Sequence, residues 1–377
     1  MKSKHFLTWR IVSPSRKGTT GMRASATVFL ALLALLLHGC GSDVSIEPQG
    51  ERQFGEERAE VDEVAFRSGE YLLVGDLRLP PEGGPHPAVI MVHGDGPATR
   101  HGSVPFEPLI EIFLRNGFAV FSWDKPGSGE STGELNNWLA ERSSNLVDGI
   151  RTLAEHPAIE STQIGLWGVG QAGWVMPRAL EQTDDVAFMI VVSGGAEDVI
   201  EQGAYQLGQR VLCAGGTAEQ AALAEEQRSR AQKAATYAEY RRAMETLLGI
   251  PDVEAQIESE IVDEEEWKPF PRDWDALWDP MDVVERTTIP VIAFFGGLDM
   301  NTDPMQGTEA YRAALQEAGN PNSQVVLIPR VAHLLRPAET GCEDLLGTGP
   351  RNQEYAPEYL ISLEDWLRHL RLWRIPS

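Results

Sequence analysis

Gly168-Val169-Gly170-Gln171-Ala172-Gly173-Trp174 is a run of small residues that follows the apolar stretch Gln163–Trp167 and leads into helix-forming sequence. Two chemistries use such a strand-to-helix turn. Gly168, Gly170 and Gly173 fit the Gly-x-Gly-x-x-Gly spacing that cradles a dinucleotide pyrophosphate at a helix N-terminus. The same residues fit a nucleophile elbow, Gly-x-Ser-x-Gly, with Gly170 in the place of the serine and Ala172 as the second small residue. The dinucleotide reading requires an acid at the end of the next strand to bind ribose hydroxyls. That strand, Val186–Val192, ends in Ser193-Gly194-Gly195, and no acid appears before Glu197. The turn also lies behind a hairpin and two further strands rather than near the start of a domain.

The elbow reading predicts three companions in a set chain order. His93-Gly94-Asp95-Gly96-Pro97 directly follows the apolar run Ala88–Val92, where small residues let backbone N–H groups face a developing oxyanion. Gly296-Gly297-Leu298-Asp299 ends the run Pro290–Phe295, and its carboxylate is placed to orient an imidazole; Asp303 and Asp282 are rivals for that role. Val331-Ala332-His333 comes shortly after Gln324–Ile328, and a loop histidine there suits a general base. Each has a plain alternative, a Gly/Pro turn for the first and surface solvation for the acids. Taken together the three are the parts of acyl-transfer chemistry, with His93, Gly94, Asp95 and Gly96 around the oxyanion, Asp299 and His333 as the acid and base, and no side chain at the nucleophile position. No cofactor or metal is called for.

These parts need a sheet whose strand ends converge. Val61–Phe66 and Tyr71–Leu79 flank Arg67-Ser68-Gly69-Glu70 and predict a hairpin. Ala88–Val92, Phe118–Trp123, Gln163–Trp167, Val186–Val192, Pro290–Phe295 and Gln324–Ile328 are short apolar runs of the kind found in strands buried on both faces. Helical stretches near Phe106–Asn116, Asn137–Glu155, Gln171–Gln182, Thr308–Ala318 and Glu358–Leu370 fall between or after them. The alternation predicts an α/β fold with a mostly parallel, doubly wound sheet carrying an N-terminal β-hairpin at its edge. Residues 197–278 break the alternation with helix-forming sequence and predict a helical insertion over the carboxyl edge of the sheet, between core segments 61–196 and 279–377. Within the insertion, Pro251–Glu266 carries acids and no base. It lacks a hard-cation loop signature and reads as a solvated helical face.

The chain has 377 residues, a formal charge of −24 and a pI near 4.7, too acidic for a general nucleic-acid binder. The first 39 residues hold Lys2, Lys4, Arg10, Arg16, Lys17 and Arg23 and no acid, and lead into the apolar run Thr27–Leu37 ahead of Cys40. That run is shorter than the roughly 20 residues a spanning helix needs. The segment resembles a bacterial lipoprotein signal, with His38 where a small residue is usual and Met22 as an alternative start. Residues 1–39 are then a signal peptide, Cys40 the acylated residue, and residues 40–60 a polar tether that holds the protein to a membrane of the cell envelope. Loss of residues 1–39 lowers the formal charge from −24 to −30, so attachment would depend on the lipid and not on a basic patch. Cys213 and Cys342 remain, one potential pair that makes no disulfide scaffold.

From about Val61 to Trp373 the sequence resembles the α/β-hydrolase family, particularly bacterial esterases and peptidases related to dienelactone hydrolases and acylaminoacyl peptidases. The resemblance rests on the loop His93–Pro97, on Trp123-Asp124-Lys125-Pro126-Gly127-Ser128-Gly129-Glu130-Ser131-Thr132-Gly133, on the elbow, and on Asp299 and His333. It implies that the Gln171 backbone N–H completes the oxyanion hole and that the insertion is a cap. It also implies an ester, amide, peptide or acyl ligand. Three departures stand out. The family's nucleophilic serine falls on Gly170; Asp95 stands where relatives often carry serine, placing a carboxylate beside an oxyanion hole; and Pro126 replaces a common arginine. Ser128, Ser131 and Ser193 lie on loops but not on a strained elbow, and ordinary turn and capping roles suit them. Three outcomes remain at this stage: a hydrolase-fold lipoprotein impaired by Gly170, an active hydrolase using another nucleophile or a water activated by Asp299 and His333, and a dinucleotide binder. Oligomeric state is not legible.

Overall fold

The computed structural model describes residues 60–81, 83–102, 106–135, 138–251, 253–258, 261–269, 277–348 and 354–373. The signal segment, Cys40 and all of the tether except Glu60 lie outside the described residues.

β1 (Glu60–Ser68) and β2 (Tyr71–Leu79) pair antiparallel around Gly69-Glu70, with Gly69 at φ +57°. β2 pairs antiparallel with β4 (Ala119–Trp123). β3 (His86–Val92), β5 (Ile159–Val169), β6 (Phe188–Val192), β7 (Val291–Gly296) and β8 (Gln324–Ile328) run parallel to β4, and the sheet order is β1-β2-β4-β3-β5-β6-β7-β8. The chain winds outward from β3 to β4 and then returns to β5. The loops after β3 and β5 therefore open at the point where the winding direction reverses, the usual place for a ligand in such a sheet.

The apolar runs form strands because helices cover both faces of the sheet. Ala88, Ile90 and Val92 of β3 join one core with Leu146 and Ile150 of α2 (Leu139–Ala154), Trp174 and Met176 of α3 (Ala172–Leu180) and Tyr311 and Leu315 of α9 (Pro304–Glu317). Val89 and Met91 join the opposite core with Leu109 and Phe113 of α1 (Glu107–Arg115) and Tyr359 and Leu363 of α11 (Pro357–Trp373). This two-residue alternation is the strand period, with both sides apolar.

Between β6 and β7 lie α4 (Val199–Cys213), α5 (Ala218–Gln232), α6 (Tyr237–Leu247) and α7 (Glu254–Ile257). They share a small core of their own that includes Leu207, Val211, Ala224, Leu247 and Ile257. Asp198, Thr217 and Thr236 cap the first three, the two threonines in reciprocal boxes with Gln220 and Glu239. The acidic run departs from the helical face anticipated for it. Among its described residues the α-helix is confined to Glu254–Ile257, and further on Glu265 N and Glu266 N both donate to Asp263 Oδ1 at 3.0 Å. The Asp263 side chain thus offers the backbone a turn in place of a helix.

α8 (Met281–Val284) precedes β7, α9 (Pro304–Glu317) lies between β7 and β8, and α10 (Cys342–Leu345) and α11 (Pro357–Trp373) follow β8. α9 begins four residues before the anticipated Thr308, because Asp303 caps it and Pro304 is preorganised for the first helical position. Cys213 and Cys342 form a disulfide that joins the end of α4 to α10 across 129 residues of sequence. Among the described residues no helix is long and apolar enough to cross a membrane.

Candidate active site

The elbow forms where β5 meets α3. Gly170 has φ +57°, a left-handed conformation that glycine adopts without steric penalty. Glycine is also required at position 168, where a Cβ would come within 2.5 Å of the Ala172 Cβ. The turn's own amides are engaged: Gly170 N donates to Val192 O at 3.0 Å and Gly173 N to Gly170 O at 2.8 Å. They are not presented to a pyrophosphate, and this argues against the dinucleotide reading.

His333, on the loop after β8, points Nε2 at this turn. A Cβ built on Gly170 would stand 3.0 Å from His333 Nε2. On its other side the imidazole Nδ1 lies 2.8 Å from Asp299 Oδ2. Asp299 follows β7 and is held from three directions. Its Oδ1 accepts from Asn301 N at 2.8 Å and Thr302 N at 3.1 Å, and its Oδ2 accepts from Thr302 Oγ1 at 2.8 Å. An ionised carboxylate so fixed selects the tautomer with the proton on Nδ1 and turns the Nε2 lone pair toward Gly170. Burial pulls the His333 pKa down, but the charge and hydrogen bond of Asp299 outweigh it, and the net direction is upward. The rival acids are elsewhere: Asp303 accepts from Met305 N and Gln306 N as the cap of α9, and Asp282 is exposed on α8.

The loop after β3 is anchored from behind by two buried basic side chains. Lys125 Nζ donates to Gly94 O at 2.7 Å and Gly96 O at 2.6 Å. Arg142, on α2, donates from Nη2 to His93 O at 2.5 Å and from Nη1 to the Gln171 side-chain oxygen. One guanidinium therefore ties the β3 loop to the residue after the elbow. Burial, with Arg142 nearby, pushes Lys125 down to about 6, and burial pushes Arg142 down to about 10, while the Asp95 charge raises both. Asp95 is exposed beside these groups. Its carboxylate thus has the Arg142 guanidinium as a cationic neighbour, which offsets part of the repulsion of an oxyanion anticipated from the sequence. His93 lines the cavity and is at the same time packed into the core. Its ring stacks on Phe106 at 5.3 Å, its Nε2 lies 3.1 Å from Trp123 O, and burial together with Lys125 and Arg142 drives its pKa down to about 3.

These groups surround a cavity of about 390 Å³. Gly94, Asp95, Gly170, Gln171 and His333 line it, with apolar surface from Phe106, Val169, Trp174 and Leu334. The cap closes one side. Gln202 Nε2 donates to Asn301 O at 2.6 Å, Gln206 Nε2 to Asn301 Oδ1 at 2.9 Å, and the Tyr205 hydroxyl to Asp299 O at 3.0 Å. Gly96 and the alternative serines are not among the lining residues. Ser131 Oγ donates to Asp124 O and accepts from Val74 N, Ser128 lies in the turn after Lys125, and Ser193 is buried at the end of β6. Among the described residues no group of three or more His, Cys, Asp or Glu is arranged to hold a metal ion.

Lys125, Arg142 and the α4 face were not singled out from the sequence. Arg142 had a legible signal: it stands between Leu139 and Leu146 in the stripe of α2 that packs on the sheet, where a cation is unexpected.

Residues 68–334 match the family of X-Pro dipeptidyl-peptidases (S15 family). The chain belongs to this family. Its S15 membership agrees with an eight-stranded α/β-hydrolase sheet and with the esterase and peptidase type of chemistry. The Pyrococcus furiosus esterase Pf2001 is similar in fold, with a TM-score of 0.52, 15% identity, and coverage of 82% of this chain and 93% of that one. DcsB in complex with its substrate analogue is likewise similar, with a TM-score of 0.50, 16% identity, and coverage of 82% and 99%. Thiohydrolase aneE of Aspergillus aculeatus is 32% identical over 89 residues, 23% of this chain and 27% of its own length. The match thus spans about a quarter of that relative.

Proposed function

We propose that this S15-family chain binds an ester, amide or acyl ligand in the cavity beside Gly170 and has lost the serine route of hydrolysis. The observation that carries the reading is Gly170 itself, facing His333 Nε2 with no hydroxyl between them. Removal of a triad nucleophile costs on the order of a million-fold in turnover, and residual catalysis of about 10³–10⁴ over water comes from binding and oxyanion contacts. A fluorophosphonate probe tests the loss. Intact mass should not change on exposure, and a stoichiometric adduct would identify another activated serine and end this reading.

The proposal extends to location. The basic segment ahead of Thr27–Leu37 and Cys40 supports an envelope lipoprotein held by an acyl chain, and the Cys213–Cys342 disulfide suits an oxidising compartment. Radiolabelled fatty acid should enter the wild type, and Cys40→Ser should move the protein out of the membrane fraction. Equal membrane retention of both forms would refute the anchor.

A further inference from the structure

With no side chain at Gly170, a base, its orienting acid and an acyl-sized cavity surround a point that the protein's own nucleophile does not reach. We propose that the site transfers an acyl group directly to a mobile second ligand, a primary alcohol or amine that enters beside Gly170 and is deprotonated by His333. The proposal rests on the reading of the cavity as an acyl site.

Geometry supplies the place. A heteroatom within about 2.6–3.2 Å of Nε2, the range for proton abstraction, can sit on the cavity side of Gly170 with no side-chain atom of residue 170 between it and a bound carbonyl. Asp299, fixed by Asn301 and Thr302, holds the imidazole in the accepting tautomer and stabilises the imidazolium that forms.

The lining selects the chemistry of the second ligand. Gln202 and Gln206 each donate one amide N–H to Asn301, which leaves a side-chain oxygen and one N–H on each for a ligand. Asp95 adds a carboxylate to the same cavity. Acceptors of this kind can receive the donors of an amine or a polyol. Phe106, Val169, Trp174 and Leu334 provide apolar surface for the acyl part.

The step balances without a covalent enzyme intermediate. The acceptor's O–H or N–H proton passes to His333 Nε2 and the acceptor heteroatom bonds to the acyl carbon. The carbon–oxygen bond to the leaving group breaks, and the imidazolium returns its proton to the leaving oxygen. Water in the acceptor's place would give simple hydrolysis.

The test uses the full chain in detergent with p-nitrophenyl acetate as donor and glycerol or glycinamide as acceptor. Acetylglycerol and N-acetylglycinamide are measured by mass spectrometry, and p-nitrophenolate by absorbance. Product formation should saturate with acceptor and exceed that of His333→Gln by about a hundredfold, the scale of general-base assistance. Gln206→Leu should raise the half-saturating acceptor concentration. In Gly170→Ser, the initial burst of p-nitrophenolate should be independent of acceptor, because acylation of the serine then comes first. The proposal is overturned if folded wild type forms no more product than His333→Gln with either acceptor, or if an acetyl group accumulates on His333, which would make the imidazole the nucleophile. Saturation-transfer NMR with p-nitroacetanilide separates the two readings. Binding without transfer defeats the transfer alone, and absence of binding defeats the acyl-ligand reading with it.

Discussion

The hydroxyl of Tyr205, in the cap, donates to the backbone carbonyl of Asp299 at 3.0 Å. The cap is thereby joined to the loop that carries the acid of the dyad. The same helix, α4, ends at Cys213, whose disulfide partner Cys342 opens α10, and Asp344 of α10 accepts from Leu334 N next to His333. Acid and base are thus both tied to one cap helix.

Reduction should loosen this arrangement. A cross-link closing a loop of 129 residues stabilises by about 4–5 kcal/mol in the chain-entropy account. Urea unfolding of Cys213→Ala/Cys342→Ala, or of wild type in a phosphine reductant, should show a loss of that order. Hydrogen exchange should rise first in α4 and α10. An unchanged midpoint would mean that the two cysteines do not pair in solution.

Gly170→Ser should restore part of a triad. Positive φ strains serine mildly, and the new Cβ would meet Nε2 at 3.0 Å, so His333 must retreat by a few tenths of an ångström. Activity on p-nitrophenyl acetate should rise by at least about 10², and fluorophosphonate should then label the protein. Adding Asp95→Ser should raise activity further, by a margin that the Arg142 guanidinium near Asp95 keeps small. A folded Gly170→Ser protein as inert as its parent would show that the dyad cannot receive a serine.

The pH dependence of stability has two limbs with opposite causes. His333 has a folded pKa above its ordinary 6.5, so its contribution is complete below pH 6.5 and is lost as pH rises through the folded value. His93 is depressed to about 3, so its contribution is present above pH 6.5 and is lost as pH falls from there toward 3. Thermal melts across pH should show both limbs. Asp299→Asn should flatten the upper one and His93→Gln the lower one; if each variant keeps the wild-type slope, the assignments fail.

Arg142→Met should harm the site more than its charge alone suggests. It strands the buried His93 O and removes the tie to the Gln171 side chain, at a cost of roughly 1–3 kcal/mol. In the Gly170→Ser background it should also lower kcat, because the β3 loop and the elbow lose their common tie. Retained kcat with reduced stability would confine Arg142 to a packing role.

Much of this architecture is written locally. Apolar runs such as Val291–Phe295 specify buried strands because a two-residue period with both faces apolar has few other folds, and the small residues from Gly168 to Gly173 specify a tight turn because larger ones collide there. The chain order of oxyanion loop, elbow, Asp299 and His333 is likewise legible, as is the missing hydroxyl at Gly170. The sequence favours Asp299 by its place at a strand end and leaves Asp303 and Asp282 as rivals. Only the fold brings the Asp299 carboxylate to 2.8 Å from His333 while Asp303 caps a helix and Asp282 faces solvent. The Cys213–Cys342 bond, the grip of Arg142 on both His93 and Gln171, and the α4 contacts to Asp299 and Asn301 were also decided by tertiary structure. The physical reason is range: backbone preference and hydrophobic period act over a few residues and leave their mark in every window of sequence. A hydrogen bond between side chains about a hundred residues apart has no local signature, and exists only once packing has set the distance.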